Sequence, residues 1–314
     1  MYKTLKKRSK VYLYWMKYIS FLMLCMILSC SSSVDYSKLD IQGHRGCRGL
    51  LPENTIPAFI KALEYGVSTI ELDVIISGDG QVVVSHEAYM NHEISTKPNG
   101  EAVKIEEESK YNLYGMSIDS IQTFDVGMKL HPRFSEQEKI KVVKPLLISA
   151  IDSIEDYIKK HSIVPVQYNI EIKSTKIGDD RFHPKPYEFV KLVMDVVNSK
   201  GLKNRTIIQS FDFRILKVMN ELYPEMPCAA LIETDIAPQE ILDKLGFKPQ
   251  VYSPDFKLIT KEWLSFCKNE KIKLIPWTVN SKEDLEKMLK MGVDGIITDY
   301  PNRLVEVIEA LQAK

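Results

Sequence analysis

Residues 69–76 read Thr-Ile-Glu-Leu-Asp-Val-Ile-Ile, and residues 168–173 read Tyr-Asn-Ile-Glu-Ile-Lys. Both are short runs rich in β-branched and aromatic side chains, the composition of strands. Alternate residues of a strand share a face, so Glu71 lies beside Asp73, and Glu171 beside Lys173. The flanks are apolar, so these charges interrupt buried strands, and a buried charge requires a partner or a metal. The strand candidates themselves are 68–74 and 166–172, and similar runs at 39–43, 81–86, 206–210, 228–232, 250–253, 272–279 and 294–298 bring them to nine.

Helical stretches separate several of them. Asn54 is expected to cap a helix that presents Phe59, Ile60 and Leu63 and stops at Gly66. Ser281 with Asp284 resembles a capping box, and Gly292 follows the last apolar residues, Met288 and Leu289. A final helix is expected after Pro301, with Leu304, Ile308 and Leu311 on one face. Alternating β and α elements predict a parallel sheet, either a TIM-type (β/α)8 barrel or an open doubly wound sheet. The chain has no G-x-G-x-x-G and no Walker loop, which weakens the open nucleotide-binding form. Nine candidates for eight barrel places leave at least one peripheral.

Gly78-Asp-Gly80 reads as a hairpin turn between two of the runs. With a loop at 77–80, Glu71 would pair with His86 and Asp73 with Val84. A one-residue slip would separate them. Residues 87–145 read as a long polar insertion after the third strand, with no second core of their own.

The chain has 314 residues, 45% of them hydrophobic and 27% charged, which excludes disorder and fibrous or disulfide-scaffold classes. The 42 basic and 42 acidic side chains balance, but residues 1–29 hold six of the basic ones and no acidic ones. The remainder therefore carries 36 basic against 42 acidic side chains, a net charge of −6. A body of that sign is a poor nucleic-acid binder, so no nucleic-acid partner is expected.

The basic start leads into an apolar run of 11 residues, Tyr18–Leu28, too short to span a bilayer comfortably and suited to a signal h-region. Ile27-Leu28-Ser29-Cys30, followed by Ser31-Ser32-Ser33, resembles the lipobox of bacterial lipoproteins. An uncleaved anchor helix extended back through Val11 would have no need of those small residues. The expected layout is a lipoprotein signal peptide over 1–29, a lipidated tether over 30–38 starting at Cys30, and one barrel domain over 39–314. The membrane is then a partner through the lipid anchor. The expected location is the bacterial cell envelope, at the outer membrane facing the periplasm, since Ser rather than Asp follows Cys30. Cys47, Cys228 and Cys267 remain as an odd, scattered set, which does not suggest a disulfide framework.

Polar residues recur where strands end: His44-Arg45-Gly46, Glu71-Leu-Asp73, Ser85-His86-Glu87, Glu171-Ile-Lys173, Gln209-Ser210-Phe211, Trp277-Thr278 and Thr298-Asp299, with Pro52-Glu53-Asn54-Thr55 opening the first helix. In a parallel barrel these ends surround one mouth. Glu71, Asp73 and Glu171 offer a hard, all-oxygen site for one divalent cation, Ca2+ or Mg2+. Arg45 and Lys173 can hold an anion. His44 and His86 can divide general base and acid work near neutral pH. The combination fits phosphodiester cleavage.

The ordered set H-R-G, P-E-N-T, E-x-D and H, then I-E-I-K, Q-S-F, W-T-V-N and D-G-I-I-T-D, strongly resembles the glycerophosphodiester phosphodiesterase family over 39–312. The resemblance implies a TIM-type, phosphatidylinositol-phospholipase-C-like barrel and metal-dependent hydrolysis of a small-molecule glycerophosphodiester to sn-glycerol 3-phosphate and an alcohol. By position it makes His44 and His86 the acid/base pair and Glu71, Asp73 and Glu171 the metal ligands. Arg45 and Lys173 become phosphate contacts, and Glu53, Phe211 and Trp277 shape the glycerol pocket. It also implies a route in which the neighbouring glycerol hydroxyl attacks phosphorus and water opens the cyclic phosphate. Glu87 stands where the family usually has Asp, and Ala88–His92 lacks the usual Arg-Thr-Thr-like run.

Two other functions fit parts of the chain. A phospholipase of similar fold acting on intact lipids would need an exposed apolar rim, for which the insertion offers Tyr89, Met90, Tyr111, Leu113, Tyr114 and Met116. A non-catalytic glycerophosphodiester-binding lipoprotein should have lost a histidine or a carboxylate, and all seven positions are kept. The oligomeric state is not legible in the sequence.

Overall fold

A computed structural model describes residues 35–313. The signal segment, Cys30 and its lipidation lie outside the described residues. Within the unit that begins at Lys38, β1 (Asp40–Gly43) leads through the His44–Thr55 loop to α1 (Ile56–Glu64), followed by β2 (Thr69–Ile76) and β3 (Val82–Val84). After the insertion, with its short α2 (Ile118–Ile121), come α3 (Leu147–His161), β4 (Gln167–Ile172), α4 (Pro186–Ser199), β5 (Thr206–Ser210), α5 (Phe213–Leu222) and β6 (Cys228–Ile232). The chain continues through α6 (Pro238–Leu245), β7 (Val251–Pro254), α7 (Lys261–Glu270), β8 (Lys273–Leu274), α8 (Lys282–Met291), β9 (Gly295–Thr298) and α9 (Pro301–Gln312).

Eight strands run parallel in the order β8-β7-β6-β5-β4-β2-β1-β9, a nearly closed barrel rather than an open sheet. The last gap is bridged by backbone bonds from Asp294 N to Leu274 O and from Ile297 N to Pro276 O. The run expected at 272–279 shortens to the two residues of β8. Pro276 has no N–H to give to a ladder, so the chain beyond Leu274 stays extended without regular pairing.

The peripheral ninth strand is β3. It runs antiparallel to β2 and pairs with residues 74–76, past Ile70 where the pairing with β1 ends. Its register, Val74 with Val84 and Ile76 with Val82, is one residue from the pairing expected for a 77–80 loop. Ser77 N bonds Gln81 O, so three residues, Gly78 to Gly80, make the turn, and Gly80 takes a left-handed φ of 76°. The slip does not remove His86 from the site. Ser85 N still bonds Asp73 O, the strand has ended at Val84, and the ladder no longer dictates the facing of His86.

Helices cover the outer face in amphipathic register. In α4, Phe189, Val190, Val193, Met194 and Val197 form a stripe at helical spacing and are all buried. Ser281 accepts from Asp284 N and Gly292 closes α8 at φ 77°, as the motif predicts. Helix α9 starts at Pro301 itself and buries Leu304 and Ile308, while Leu311 stays half-exposed. The cap of α1 differs from expectation: Thr55 holds the N-cap position, and Asn54 is used elsewhere.

The insertion does bury a cluster. Met90, Val103, Leu113, Ile121 and Phe124 pack on Ile75 and Val83, with Tyr111 and Met116 against them. Four of the six side chains considered for a lipid-facing rim therefore pack the insertion onto the β2–β3 hairpin. Tyr89 and Tyr114 are half-buried. Cys47, Cys228 and Cys267 are buried and free.

Candidate active site

The barrel interior is divided. One half is apolar, with Ala229, Val251, Ile275 and Ile297 in contact and Trp277 against them. The other half, from β1, β2, β4 and β5, is a chain of polar side chains. Asn169 Nδ2 donates to Gln42 Oε1 at 2.8 Å and to Gln209 Oε1 at 3.0 Å. Gln209 Nε2 then donates to Glu71 Oε1 at 2.7 Å. These three bonds tie β1, β2, β4 and β5 together beneath the charged groups, although Asn169 Oδ1 itself has no partner among the described residues.

Strand register does the rest. Asp73 lies opposite Glu171, and Glu171 opposite Gln209. One carboxylate oxygen from each of Glu71, Asp73 and Glu171 lies within 4.8 Å of the others, and all three residues are buried. Arg45 N donates to Glu71 Oε2 at 2.8 Å, and Arg45 Nε lies 3.2 Å from Asp73 Oδ2. Lys173 Nζ sits 2.6 Å from Glu171 Oε1 and 3.6 Å from Asp73 Oδ1. Burial and the neighbouring Asp73 and Glu171 charges hold the Glu71 carboxyl well above its usual range. Burial acts the same way on Asp73, but Arg45 and Lys173 outweigh it and keep that carboxyl well below. For Glu171, burial outweighs Lys173, and the carboxyl is raised. Three carboxylates facing two cations are thus short of positive charge.

The donor set tests whether a dication fits. Asp73 Oδ1 is buried and makes no hydrogen bond among the described residues, its nearest cation being Lys173 Nζ at 3.6 Å. An oxygen-only cluster with an orphaned carboxylate oxygen is suited to Ca2+ or Mg2+. Asn54 explains its absence from the helix cap here: its Nδ2 donates to Asp73 Oδ2 at 2.8 Å and its Oδ1 accepts from Asp73 N at 3.2 Å. It does so from a left-handed φ of 55°.

The loop after β1 is tightly built. A Cβ on Gly43 would lie 2.2 Å from Gly46 O, and one on Gly46, at φ 86°, 2.6 Å from the Ala58 carbonyl carbon. Arg45 between them is itself left-handed at φ 50°, a strained setting typical of functional loops. The loop puts His44 at the mouth, with Nδ1 2.6 Å from Asp299 Oδ1. Arg48 and Asn280 hold the same carboxylate, Arg48 Nε at 2.9 Å and Asn280 Nδ2 at 2.7 Å. An ionised carboxylate only accepts, so His44 Nδ1 carries the proton and Nε2 is left as an acceptor. Burial lowers the His44 pKa to about 4; Asp299 opposes the fall and Arg48 adds to it. The Asp299 carboxyl is raised by burial but pulled well below its usual range by His44 and Arg48.

His86 has a matching partner. Its Nδ1 lies 2.7 Å from Glu87 Oε1. The Glu at the position of the family's usual Asp is therefore engaged with the adjacent histidine. Near it, the buried Lys144 donates to Ser85 Oγ at 2.8 Å, and burial lowers its pKa.

Two adjoining cavities open over these groups. A polar one of about 230 Å³ is lined by His44, Arg45, Arg48, Glu71 and Gln209 among others. A larger one of about 490 Å³ lies on the side of β4, β5 and the insertion. His86, Glu171, Lys173, Phe211 and Trp277 line both. Phe211 and Trp277 meet edge to face at 5.4 Å. Glu53 is placed differently from expectation. It lines neither cavity, and its Oε1 lies behind the mouth, 2.7 Å from Arg45 Nη1. Reading by motif missed Arg48 and Asn280 as site residues, and it placed Asn54, Gln209 and Asp299 near the mouth without a role in the site. Their signal was position: each sits in a polar segment next to a strand end, yet its partner is distant in sequence.

Residues 44–303 match the sequence profile of the glycerophosphoryl diester phosphodiesterase family. A glycerophosphodiester phosphodiesterase of Caldanaerobacter subterraneus subsp. tengcongensis is 32% identical over 84% of this chain and 96% of its own length. The crystal structure of a putative glycerophosphoryl diester phosphodiesterase from Silicibacter pomeroyi superposes with a TM-score of 0.79. It shares 27% identity and covers 88% of this chain and 95% of the other. A phosphodiesterase of Oleispira antarctica, solved with the product sn-glycerol-3-phosphate, has a TM-score of 0.68 at 22% identity, covering 87% and 98% of the two chains. That last likeness is one of fold.

Proposed function

The chain belongs to the glycerophosphoryl diester phosphodiesterase family, and we propose that it hydrolyses glycerophosphodiesters to sn-glycerol 3-phosphate and an alcohol, using His44 and His86 as the acid/base pair. The observation that carries this reading is the convergence, at one barrel mouth, of two carboxylate-bound histidines, two cationic side chains and three buried carboxylates. A non-catalytic binding protein has no need of two histidines each locked by its own acid.

Glu71, Asp73 and Glu171 would hold one divalent cation, Ca2+ or Mg2+. Bound there, it supplies charge neutralisation to the phosphoryl oxygens and to the three carboxylates. Arg45 and Lys173 flank the same place and would orient the phosphate. Glu53 and Asp73 hold the Arg45 guanidinium and so fix its direction rather than touching substrate.

In the proposed sequence His44 Nε2 takes the proton of the glycerol 2-hydroxyl as that oxygen attacks phosphorus. The phosphorus–oxygen bond to the alcohol breaks, and the departing oxygen takes a proton from His86. Water then attacks the cyclic phosphate, giving its proton to His86, while the 2-oxygen recovers one from His44. Atoms balance as one water consumed per diester. Asp299 and Glu87 keep each ring in one tautomer through both halves. Phe211 and Trp277 wall the pocket where the substrate lies.

The test is product identity. Incubation of the protein with glycerophosphocholine and a divalent cation should release sn-glycerol 3-phosphate and choline. Release of phosphocholine and glycerol, or no release, would overturn the reading.

We also propose that the mature chain is lipidated at Cys30 and held at the outer membrane facing the periplasm. Ile27-Leu-Ser-Cys30 and the basic residues before it support this.

A further inference from the structure

The insertion returns to the barrel beside β3. Val83 and Leu146 form an antiparallel bridge, and Val84 N donates to Pro145 O at 2.8 Å. One step further in that register, Lys144 stands opposite Ser85, and opposed residues of an antiparallel pair share a face. Lys144 is 3% exposed and lines neither cavity, and its Nζ donates to Ser85 Oγ at 2.8 Å. Ser85 Oγ gives its one proton to Glu87 O at 2.6 Å, so towards Lys144 it can only accept. Ser85 N bonds Asp73 O as well. The chain is therefore held on both sides of His86.

Packing alone does not account for this lysine. A buried ammonium is costly, and an apolar side chain of similar length would fill the space more favourably unless the charge is used. Ser85 takes one of the three ammonium protons, and the other two find no hydrogen-bond acceptor among the described residues. Glu87 has the complementary lack. Its Oε1 holds His86 Nδ1, while its Oε2 is buried without a donor among the described residues. The two charges act on each other. Burial lowers the Lys144 pKa, and Glu87 is first among the groups that oppose the fall. Burial raises the Glu87 carboxyl, but His86, Arg45 and Lys144 together hold it below its usual range.

Resting on the acid role proposed above for His86, we propose that Lys144 is a positioning residue for that histidine: it fixes the chain on either side of His86 through Ser85, and its charge balances the Glu87 carboxylate that holds Nδ1. β3 ends at Val84, so the ladder does not set the facing of His86, and the Lys144–Ser85–Glu87 chain does. The insertion thereby serves the chemistry without touching substrate. The consequence is specific to the leaving oxygen. A displaced His86 ring matters where that oxygen departs as a basic alkoxide, and little where it departs as p-nitrophenolate, which needs no proton.

The experiment follows single-turnover release of choline from glycerophosphocholine and of p-nitrophenol from the p-nitrophenyl diester of glycerol phosphate, with enzyme in excess. It compares the wild type, Lys144→Met, Glu87→Gln and the double variant, with melts to verify folding. Lys144→Met should slow choline release by about tenfold to hundredfold, a part of the ~10²–10⁴-fold worth of a general acid, and p-nitrophenol release by less than about threefold. In the Glu87→Gln background the same substitution should cost less than about threefold on either substrate, because residues that act through one another are not additive. Lys144→Gln, neutral but still able to donate to Ser85, carries the same expectations should Lys144→Met not fold. Equal slowing of both substrates, or unfolding of both Lys144 variants, would overturn the proposal in favour of a purely structural lysine. Unslowed choline release, or additive losses in the double variant, would overturn it as well. His86→Ala, run alongside, should show the same split between substrates, and equal slowing there would overturn the acid role on which the proposal rests. Hydrolysis of neither diester by the wild type would overturn the activity, and the positioning role with it.

Discussion

The Nδ1 atom of His44 lies 2.6 Å from Oδ1 of Asp299, a residue 255 positions further along the chain. The pairing joins the two ends of the barrel, since β1 and β9 are neighbours in the sheet. It makes Asp299 the group that sets the tautomer of His44. Asp299→Asn can offer its amide to Nδ1 and favour the wrong tautomer, so kcat should fall by about 10²–10⁴-fold. A change in the pH profile of kcat should accompany it. Loss confined to the melting temperature would mean that Asp299 serves only to anchor Arg48.

Replacing either histidine by alanine should lower turnover by about 10²–10⁴-fold, the usual contribution of a general acid or base. Far-UV circular dichroism should stay unchanged, because both rings sit at the mouth rather than in the packed layers. Wild-type-like turnover in His44→Ala or His86→Ala would remove that residue from the chemistry.

The His44 contribution to stability should be lost on acidification before any carboxylate titrates in the unfolded chain. The unfolded His44 ring takes up a proton near pH 6.5, the folded one only near pH 4. Between those values the unfolded state binds more protons, so lowering pH favours unfolding. At ~1.36 kcal/mol per pKa unit the contribution is on the order of 3 kcal/mol. Asp299, whose carboxyl is held low, adds its own loss only below about pH 3.9. The raised Glu71 and Glu171 carboxyls act in the opposite sense in both proteins, so the prediction is the difference: melting temperatures from pH 7 to pH 4 should fall more steeply, or rise less, in the wild type than in His44→Gln. Equal slopes would contradict the buried neutral ring.

Strand positions were legible because each barrel strand is a short β-rich run between breaks, and all nine candidate runs overlap a strand, β2 and β7 running past the expected ends. The buried carboxylate cluster was legible for the same reason: Glu71, Asp73 and Glu171 stand out against apolar neighbours. The hairpin register was not, because it depends on whether Ser77 or Gly78 starts the turn, and both are compatible with Gly80. Asn54 looked like a helix cap because caps and left-handed turns favour the same residue, and only its partner Asp73 distinguishes them. Asp299, Arg48 and Asn280 could not be linked to His44 from local pattern, since closure of the barrel is what brings them together. Glu53 was read as facing the pocket, but the strained loop turns Arg45 between it and the cavity.

Cys30→Ser should abolish labelling with a radiolabelled fatty acid and leave the signal segment uncut. Unchanged labelling and membrane fractionation would contradict lipid anchoring at that residue.

The central claim is that three carboxylates at the mouth exist to hold one divalent cation on which hydrolysis depends. The most direct measurement is isothermal titration of Ca2+ and of Mg2+ into exhaustively chelated protein, with a melt and a glycerophosphocholine assay on the same samples. One site should appear, with its affinity reduced at least about tenfold in Asp73→Asn. Cation should raise the melting temperature, because it binds only the folded arrangement. Activity should be lost on chelation and return with occupancy of that site. No binding, or full hydrolysis by the chelated protein, would contradict the claim and leave Glu71, Asp73 and Glu171 as supports for Arg45 and Lys173.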